Sequence, residues 1–298
     1  KTEQIAIVGL GSMGYGMAGS VLAAGHQTHG FDINPAQVAR FQAQGGADGD
    51  LDSIAGSIDA LVVVVLNAAQ TETVLFGEMG IVPAMKRGSV VVACATVPPA
   101  FARDMADRCA DYGVHYLDAP ISGGAAKAAA GRLSIMASGT VQAFAAAAAV
   151  LDATAEKVFT LGDAAGAGSA MKAVNQLLAG VHIAAMAEAL TFGLSQGVSA
   201  EKFVEVIPEC AGTSWMLENR APHIVKGDYT PHSSVNIWPK DLGIVLDIAR
   251  GAGFEAPVTA AALAQFVEAA AMGLGGEDDA AVAKVYAARA GVALPKND

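Results

Sequence analysis

Gly9, Gly11 and Gly14 stand in the spacing GxGxxG directly after the apolar run Ile5–Val8, and Asp32 follows eighteen residues beyond Gly14. Glycines at these spacings allow a tight turn, the close approach of a phosphate and close helix packing. An acid about twenty residues on can accept hydrogen bonds from a ribose. The pattern reads as a strand–turn–helix cradling a dinucleotide pyrophosphate. Gly9, Leu10, Gly11, Ser12, Met13 and Gly14 form the cradle, with Asp32 on the adenosine ribose. A carboxylate there repels a 2'-phosphate, and neither residue 33 nor 34 is an arginine, which favours NAD over NADP. Asp32 has a second reading, as a turn or cap residue before Pro35, and the two roles can coexist.

A second set of side chains could act on a substrate. Lys172 is followed three and four residues later by Asn175 and Gln176, so a helix would place all three on one broad face. His182 lies about three turns further along it. Oxidation of an alcohol without a metal needs a group that takes the hydroxyl proton, and a lysine amine can do so. The plain alternatives are a solvated lysine for Lys172 and a packing histidine for His182. Ser122, Gly123 and Gly124 follow DAPI, where two glycines expose backbone N–H groups beside a hydroxyl. That is a nest for a substrate carboxylate or an ordinary turn. Leu66 and Asn67 close the run that begins at Leu61, and Thr96 closes ACAT. Both are strand ends of the kind that meets the nicotinamide half of a dinucleotide. Lys240 stands in NIWPKDLG, near a helix start, where a surface charge is the simple alternative. No histidine or cysteine has metal-ligand spacing, so no metal is expected.

These residues need a scaffold, and the first half of the chain supplies alternating elements. Strands are predicted over Gln4–Val8, Thr28–Phe31, Leu61–Leu66, Ser89–Ala93 and Val114–Leu117, with Leu133–Ala137 and Lys157–Thr160 as the last two. Helices are predicted over Met13–Ala24, Pro35–Gln44, Pro98–Tyr112 and Val141–Leu151. The alternation implies an α/β domain, a Rossmann-type doubly wound parallel sheet, over residues 1–163. DAAGAGS is a small-residue hinge whose Ser169 could cap the following helix. Residues 164–298 carry helical spacing only and imply an all-α domain built around one long helix from Ala170 to about Gln196. Further helices are expected over Ala200–Pro208, Trp215–Asn219, Leu242–Ala252, Val258–Met272 and Asp278–Ala290, then a frayed tail.

The formal net charge of -11 argues against nucleic acid or an anionic membrane as a partner. A small anionic substrate must then be held by local positive groups. The apolar stretch Leu177–Leu190 is interrupted by His182 and Glu188 and reads as a buried helix, not a membrane span. Cys94, Cys109 and Cys210 show no pairing pattern, which fits a reducing, cytoplasmic setting. A secretory signal is not expected from the opening residues.

GLGSMGYGMA with Asp32, DAPISGG with GGAAKAAAGRLSIMASG, the hinge with Lys172, and PKDLG together resemble the β-hydroxyacid dehydrogenase family over essentially the whole chain. That family includes 3-hydroxyisobutyrate dehydrogenase and tartronate semialdehyde reductase. The resemblance implies Lys172 as general acid/base, Ser122, Gly123 and Gly124 on the substrate carboxylate, and Thr96 and Lys240 on an NAD cofactor. It also implies a homodimer or homotetramer acting on a small hydroxy acid. The family commonly has two asparagines after the lysine, where this chain has Asn175 and Gln176. NQLLAGVHIAAMAEAL, GTSWMLENR and GDYTPHSSV are most similar to the branch that oxidises L-threonate at C2 to 2-oxotetronate. In that branch His182 would reach the longer hydroxylated tail. A non-catalytic dinucleotide sensor would need the glycine turn but not Lys172.

Overall fold

A computed structural model describes residues 2–297. The chain forms two compact units that divide between Lys172 and Ala173.

In the first unit the strands are β1 (Gln4–Val8), β2 (Gln27–Phe31), β3 (Ala60–Val63), β4 (Val90–Ala93) and β5 (His115–Asp118), in the order β2-β1-β3-β4-β5. All four pairings are parallel. Their register aligns Val8 with Phe31 and Val63, Val63 with Ala93, and Ala93 with Asp118. Five strands therefore end in one row, and the residues just beyond it share one edge. The helices between them are α1 (Gly14–Ala23), α2 (Pro35–Ala43), α3 (Leu51–Ile54), α4 (Ala68–Phe76) and α5 (Pro99–Asp111). Strand side chains alternate between two cores. Ile5, Ile7, Val62, Val90 and Val92 face one, while Ala6, Leu61, Val63 and Val91 face the other. Such double coverage explains why these strands read as continuous apolar runs.

The last strands depart from the expected single sheet. After β5 come β6 (Ile121–Ser122), α6 (Gly124–Ala129), β7 (Leu133–Ala137), α7 (Val141–Ala146), α8 (Ala148–Thr154) and β8 (Ala155–Thr160). β6, β7 and β8 form a separate three-stranded sheet in which β6 and β7 are antiparallel. Pro120 has no N–H for a ladder, so the chain bends after Asp118. The returning β7 then pairs alongside, with Met136 N–H on the Pro120 carbonyl at 2.9 Å. The helix expected over Val141–Leu151 divides at Ala147, a break that no proline or glycine announces. β3 stops at Val63, short of the expected Leu66.

α9 (Ala167–Ser195) crosses the division between the units. Its start is fixed by Asp118, which is fully buried. Asp118 Oδ2 accepts the N–H groups of Gly166 (2.9 Å) and Ser169 (2.8 Å) and the Ser138 hydroxyl (3.2 Å). Its Oδ1 accepts the Ser169 hydroxyl at 2.6 Å. The Ser138 hydroxyl oxygen in turn accepts Gly168 N–H at 2.9 Å. Ser169 is thus not the expected cap. It lies inside the first turn, and a carboxylate 51 residues earlier in the chain takes the orphan N–H groups. Gly168 permits the approach, since a Cβ there would meet the Met136 carbonyl oxygen at 2.4 Å.

In the second unit α9 is followed by α10 (Ala200–Val206), α11 (Trp215–Lys226), α12 (Ile237–Gly251), α13 (Pro257–Ala269) and α14 (Ala283–Ala290). α11 outlasts the expected Asn219 and carries Pro222 within it, anchored by buried Leu217, Arg220, Ala221 and Ile224. The Arg220 guanidinium meets buried Asp279 at 2.5 Å, and Asp279 also accepts Trp238 Nε1–H at 3.0 Å. α9 is buried on one side only. Ile183, Met186, Ala187 and Leu190 enter the core, whereas Val174, Leu178 and Phe192 are exposed. By length and composition α9 and the segment Pro257–Leu274 could each cross a membrane. Lys296 and Asn297 are exposed and outside any regular element, and their backbone passes close to Gly227. Asp298 falls outside the described residues.

Removing the Asp118 carboxylate orphans four buried donors. Asp118→Ala should cost on the order of 3–5 kcal/mol in urea unfolding. Asp118→Asn should cost less, because the amide oxygen can take the two N–H groups while its nitrogen donates to Ser169 Oγ. Burial raises the pKa of Asp118, so ionisation costs the folded state. The native protein should therefore lose stability relative to Asp118→Asn as pH rises from about 4. Equal losses in the alanine and asparagine variants would contradict this account.

Candidate active site

The shared strand edge places the glycine turn beside Asp32. Gly9 N–H bonds to the Phe31 carbonyl at 2.8 Å, and Leu10 N–H donates to Asp32 Oδ2 at 2.7 Å. Asp32 Oδ1 accepts Asn34 N–H at 2.8 Å, while Asn34 itself caps α2. Asp32 is thus a turn residue and not the cap. Each of its oxygens keeps a lone pair for another donor.

The three glycines do different work. Gly9 has φ +97°, and a Cβ on it would meet the Val64 carbonyl oxygen at 2.2 Å. A Cβ on Gly14 would meet the Gly9 carbonyl oxygen at 1.8 Å. A Cβ on Gly11 would meet nothing within 4 Å, so the space it would fill lies open. Met13 stands at the start of α1 with no side-chain cap, and the Tyr15 N–H donates to the Gly11 carbonyl at 3.0 Å, so the helix opens directly out of the glycine turn. These residues fit a dinucleotide pyrophosphate. A groove of about 320 Å³ adjoins, lined by Leu10, Gly11, Ser12, Tyr15, Gln37 and Arg40. The Arg40 guanidinium lies 4.2 Å from the centre of the Tyr15 ring. No local signal marks Arg40, whose place depends on how α2 packs beside α1.

Two further strand ends share this edge. Leu66 is exposed, and its N–H donates to Gln70 Oε1 at 2.9 Å. Asn67 Oδ1 accepts Gln70 N–H at 2.9 Å and caps α4. Thr96 is half-buried three residues past β4.

Lys172, six residues into α9 and only 9% exposed, donates from Nζ to the Ile121 carbonyl at 2.9 Å. The amine is thereby brought to the residue preceding Ser122, Gly123 and Gly124. Gly123 has φ +137° and Gly124 φ +78°, and the start of α6 carries no side-chain cap. A Cβ on Gly124 would meet nothing within 4 Å, so open space faces the turn. A buried amine, a hydroxyl and uncapped N–H groups together can hold a carboxylate beside a proton acceptor. The nearby Cys94 thiol is buried and its pKa is pushed up to about 12, which leaves it protonated and inert.

In the second unit Asn175, Gln176, Asp241 and Lys240 form a chain. Asn175 Nδ2 donates to Gln176 Oε1 at 2.9 Å, and Gln176 Nε2 donates to Asp241 Oδ2 at 2.5 Å. Lys240 Nζ lies 2.6 Å from Asp241 Oδ1. His182 is half-buried on α9, ten residues beyond Lys172. A cavity of about 400 Å³ near Tyr229, Lys284 and Leu294 contains none of the residues singled out for chemistry. Among the described residues no group of three or more His, Cys, Asp or Glu side chains could hold a metal ion. Asp118 and Asp241 carry no local signal in the sequence, because each bonds to a residue far away in the chain, Ser169 and Gln176 respectively.

Comparison with known proteins places the chain among dinucleotide-binding dehydrogenases. Residues 4–162 match the NAD binding domain of 6-phosphogluconate dehydrogenase, and residues 166–286 match the NAD-binding domain of NADP-dependent 3-hydroxyisobutyrate dehydrogenase. The chain is 50% identical over 295 residues to L-threonate dehydrogenase of Cupriavidus necator, covering 99% of this chain and 98% of that one. It is 45% identical over 293 residues to L-threonate dehydrogenase of Escherichia coli K12, covering 98% and 96%. A crystal structure of 3-hydroxyisobutyrate dehydrogenase from Salmonella typhimurium superposes with a TM-score of 0.89 at 46% identity, covering 95% of this chain and 99% of that one. With a glycine turn built for a dinucleotide and relatives of this closeness over nearly its full length, the chain belongs to the 3-hydroxyisobutyrate dehydrogenase-like family of nicotinamide-dinucleotide-dependent hydroxyacid dehydrogenases.

Proposed function

We propose that this enzyme oxidises L-threonate at its C2 hydroxyl to 2-oxotetronate, with NAD as cofactor and Lys172 as general acid/base. The observation that carries the reading is the buried Lys172 amine, 2.9 Å from the Ile121 carbonyl and beside the Ser122–Gly124 turn. Relatives named L-threonate dehydrogenase at 45–50% identity support the choice of acid. Bound NAD supplies the hydride acceptor.

The chain's own residues do the rest. Ser122 Oγ and the N–H groups of Gly123 and Gly124 hold the substrate carboxylate. The Ile121 carbonyl orients Nζ of Lys172. An unprotonated amine there takes the C2 hydroxyl proton, and the resulting ammonium stabilises negative charge building on that oxygen. Asn175, Gln176 and His182 follow on α9 as polar partners for a hydroxylated tail. Leu66, Asn67 and Thr96 border the cofactor from the strand edge, and Lys240 belongs to the same machinery. Self-association as a homodimer or homotetramer is part of the proposal, supported by exposed Val174, Leu178 and Phe192. The likeness to the Salmonella typhimurium 3-hydroxyisobutyrate dehydrogenase, at 46% identity, favours a second reading in which the branched acid is the substrate.

A substrate panel separates the two. L-threonate should exceed 3-hydroxyisobutyrate in kcat/KM by a large factor, because a site built for hydroxyls leaves polar groups unpaired against an analogue that lacks them. Preference for the branched acid would overturn the choice of substrate and leave the family intact.

NAD should be used in preference to NADP. Asp32→Asn should narrow that preference by removing the charge that repels a 2'-phosphate, while keeping an acceptor for Leu10 N–H. Equal use of both cofactors by the native protein would count against Asp32 as the selector.

Lys172→Ala should lower kcat by roughly 10²–10⁴-fold, with NADH binding by fluorescence titration little changed. Lys172→Arg should fail as well, since a guanidinium keeps its proton. Near-native turnover in the alanine variant would remove Lys172 from the chemistry.

A further inference from the structure

The carboxylate of Asp241, 2% exposed on α12, receives Gln176 Nε2 at 2.5 Å on one oxygen and faces Lys240 Nζ at 2.6 Å on the other. A carboxylate meeting an ammonium and an amide N–H only accepts. That decides a matter which electron density rarely decides, namely which end of each amide is nitrogen. Gln176 must turn Nε2 to Asp241, so its Oε1 faces Asn175. Asn175 must then turn Nδ2 to Gln176, as the 2.9 Å contact records. Reversing either amide would set oxygen against oxygen. With Nδ2 committed, Oδ1 of half-buried Asn175 is directed away from the chain of bonds.

We propose that Asp241 is a positioning residue which, through Gln176, holds Asn175 with Oδ1 presented as a hydrogen-bond acceptor, and that this acceptor selects acids bearing a hydroxyl beyond the reacting carbon. The inference rests on the proposed reading of α9 as lining the substrate. It also gives a physical reason for a glutamine at position 176. An asparagine at 176 would be shorter by about 1.5 Å and would not bridge Asn175 to Asp241 in this arrangement. An acceptor fixed in this way favours an O–H and is left unpaired by a methyl or methylene, which is the strong form of discrimination.

The test compares L-threonate with 2-hydroxybutyrate of the same C2 configuration, an acid of equal length lacking both distal hydroxyls. Two variants are used. Asp241→Asn removes the obligate acceptor, and Gln176→Met breaks the relay while keeping the Lys240–Asp241 pair. Each should lower kcat/KM for L-threonate about tenfold more than for 2-hydroxybutyrate, chiefly through KM. Calorimetric titration of L-threonate into the NADH-loaded protein should show the same weakening. Equal losses on both acids, or preserved discrimination, would overturn the inference while the native preference for L-threonate stands. A native enzyme indifferent between the two acids would overturn the substrate reading, and this inference with it.

Discussion

At the end of β5 the chain spends a buried carboxylate on the start of a helix. Taking Asp118 out of water is costly, and burial pushes its pKa up against the four donors that hold it. The arrangement holds only if every donor is in place, because a half-satisfied buried carboxylate is worse than none. Two donors are backbone N–H groups at the opening of α9, one is a serine hydroxyl of its first turn, and the fourth belongs to Ser138 beside β7. One side chain therefore ties the strand edge, the second sheet and the helix that carries Lys172. The helix dipole adds to the fit, with the negative charge at the N-terminal end of α9.

From that anchor the position of Lys172 follows by helical geometry. Lys172, bound to the Ile121 carbonyl, lies three positions after Ser169, bound to Asp118. One turn of helix thus connects the two attachments, and both reach the same stretch of chain, Asp118 to Ile121. Pro120 lies between them and bends that stretch away from the parallel sheet. The bend leaves Ser122, Gly123 and Gly124 beside the amine.

Local signals were legible in the sequence, and distant pairings were not. The glycine spacing, the β-branched runs and the change from alternating elements to helices were all readable, because each is written within a few turns or strands. Lys172 and the Ser122–Gly124 turn could be singled out separately, yet nothing in the sequence joins residues 51 apart. The same holds for Gln176 and Asp241, which are 65 apart. Pro120 marks a bend that any reader of the sequence can place, but the separate sheet that follows it depends on where β7 returns. Ser169 was read as a cap because caps are local, while the actual acceptor is a buried aspartate from another strand.

The glycine turn also separates two properties that are ordinarily entangled. Gly9 and Gly14 are pressed against carbonyl oxygens and belong to the fold, whereas Gly11 borders empty space. A side chain at position 11 would occupy room that only a visitor needs. The chain can therefore be made deaf to its cofactor without being made unstable, and a variant of that kind would report what the folded scaffold contributes by itself, whether in assembly or in heat tolerance, apart from the cofactor it holds.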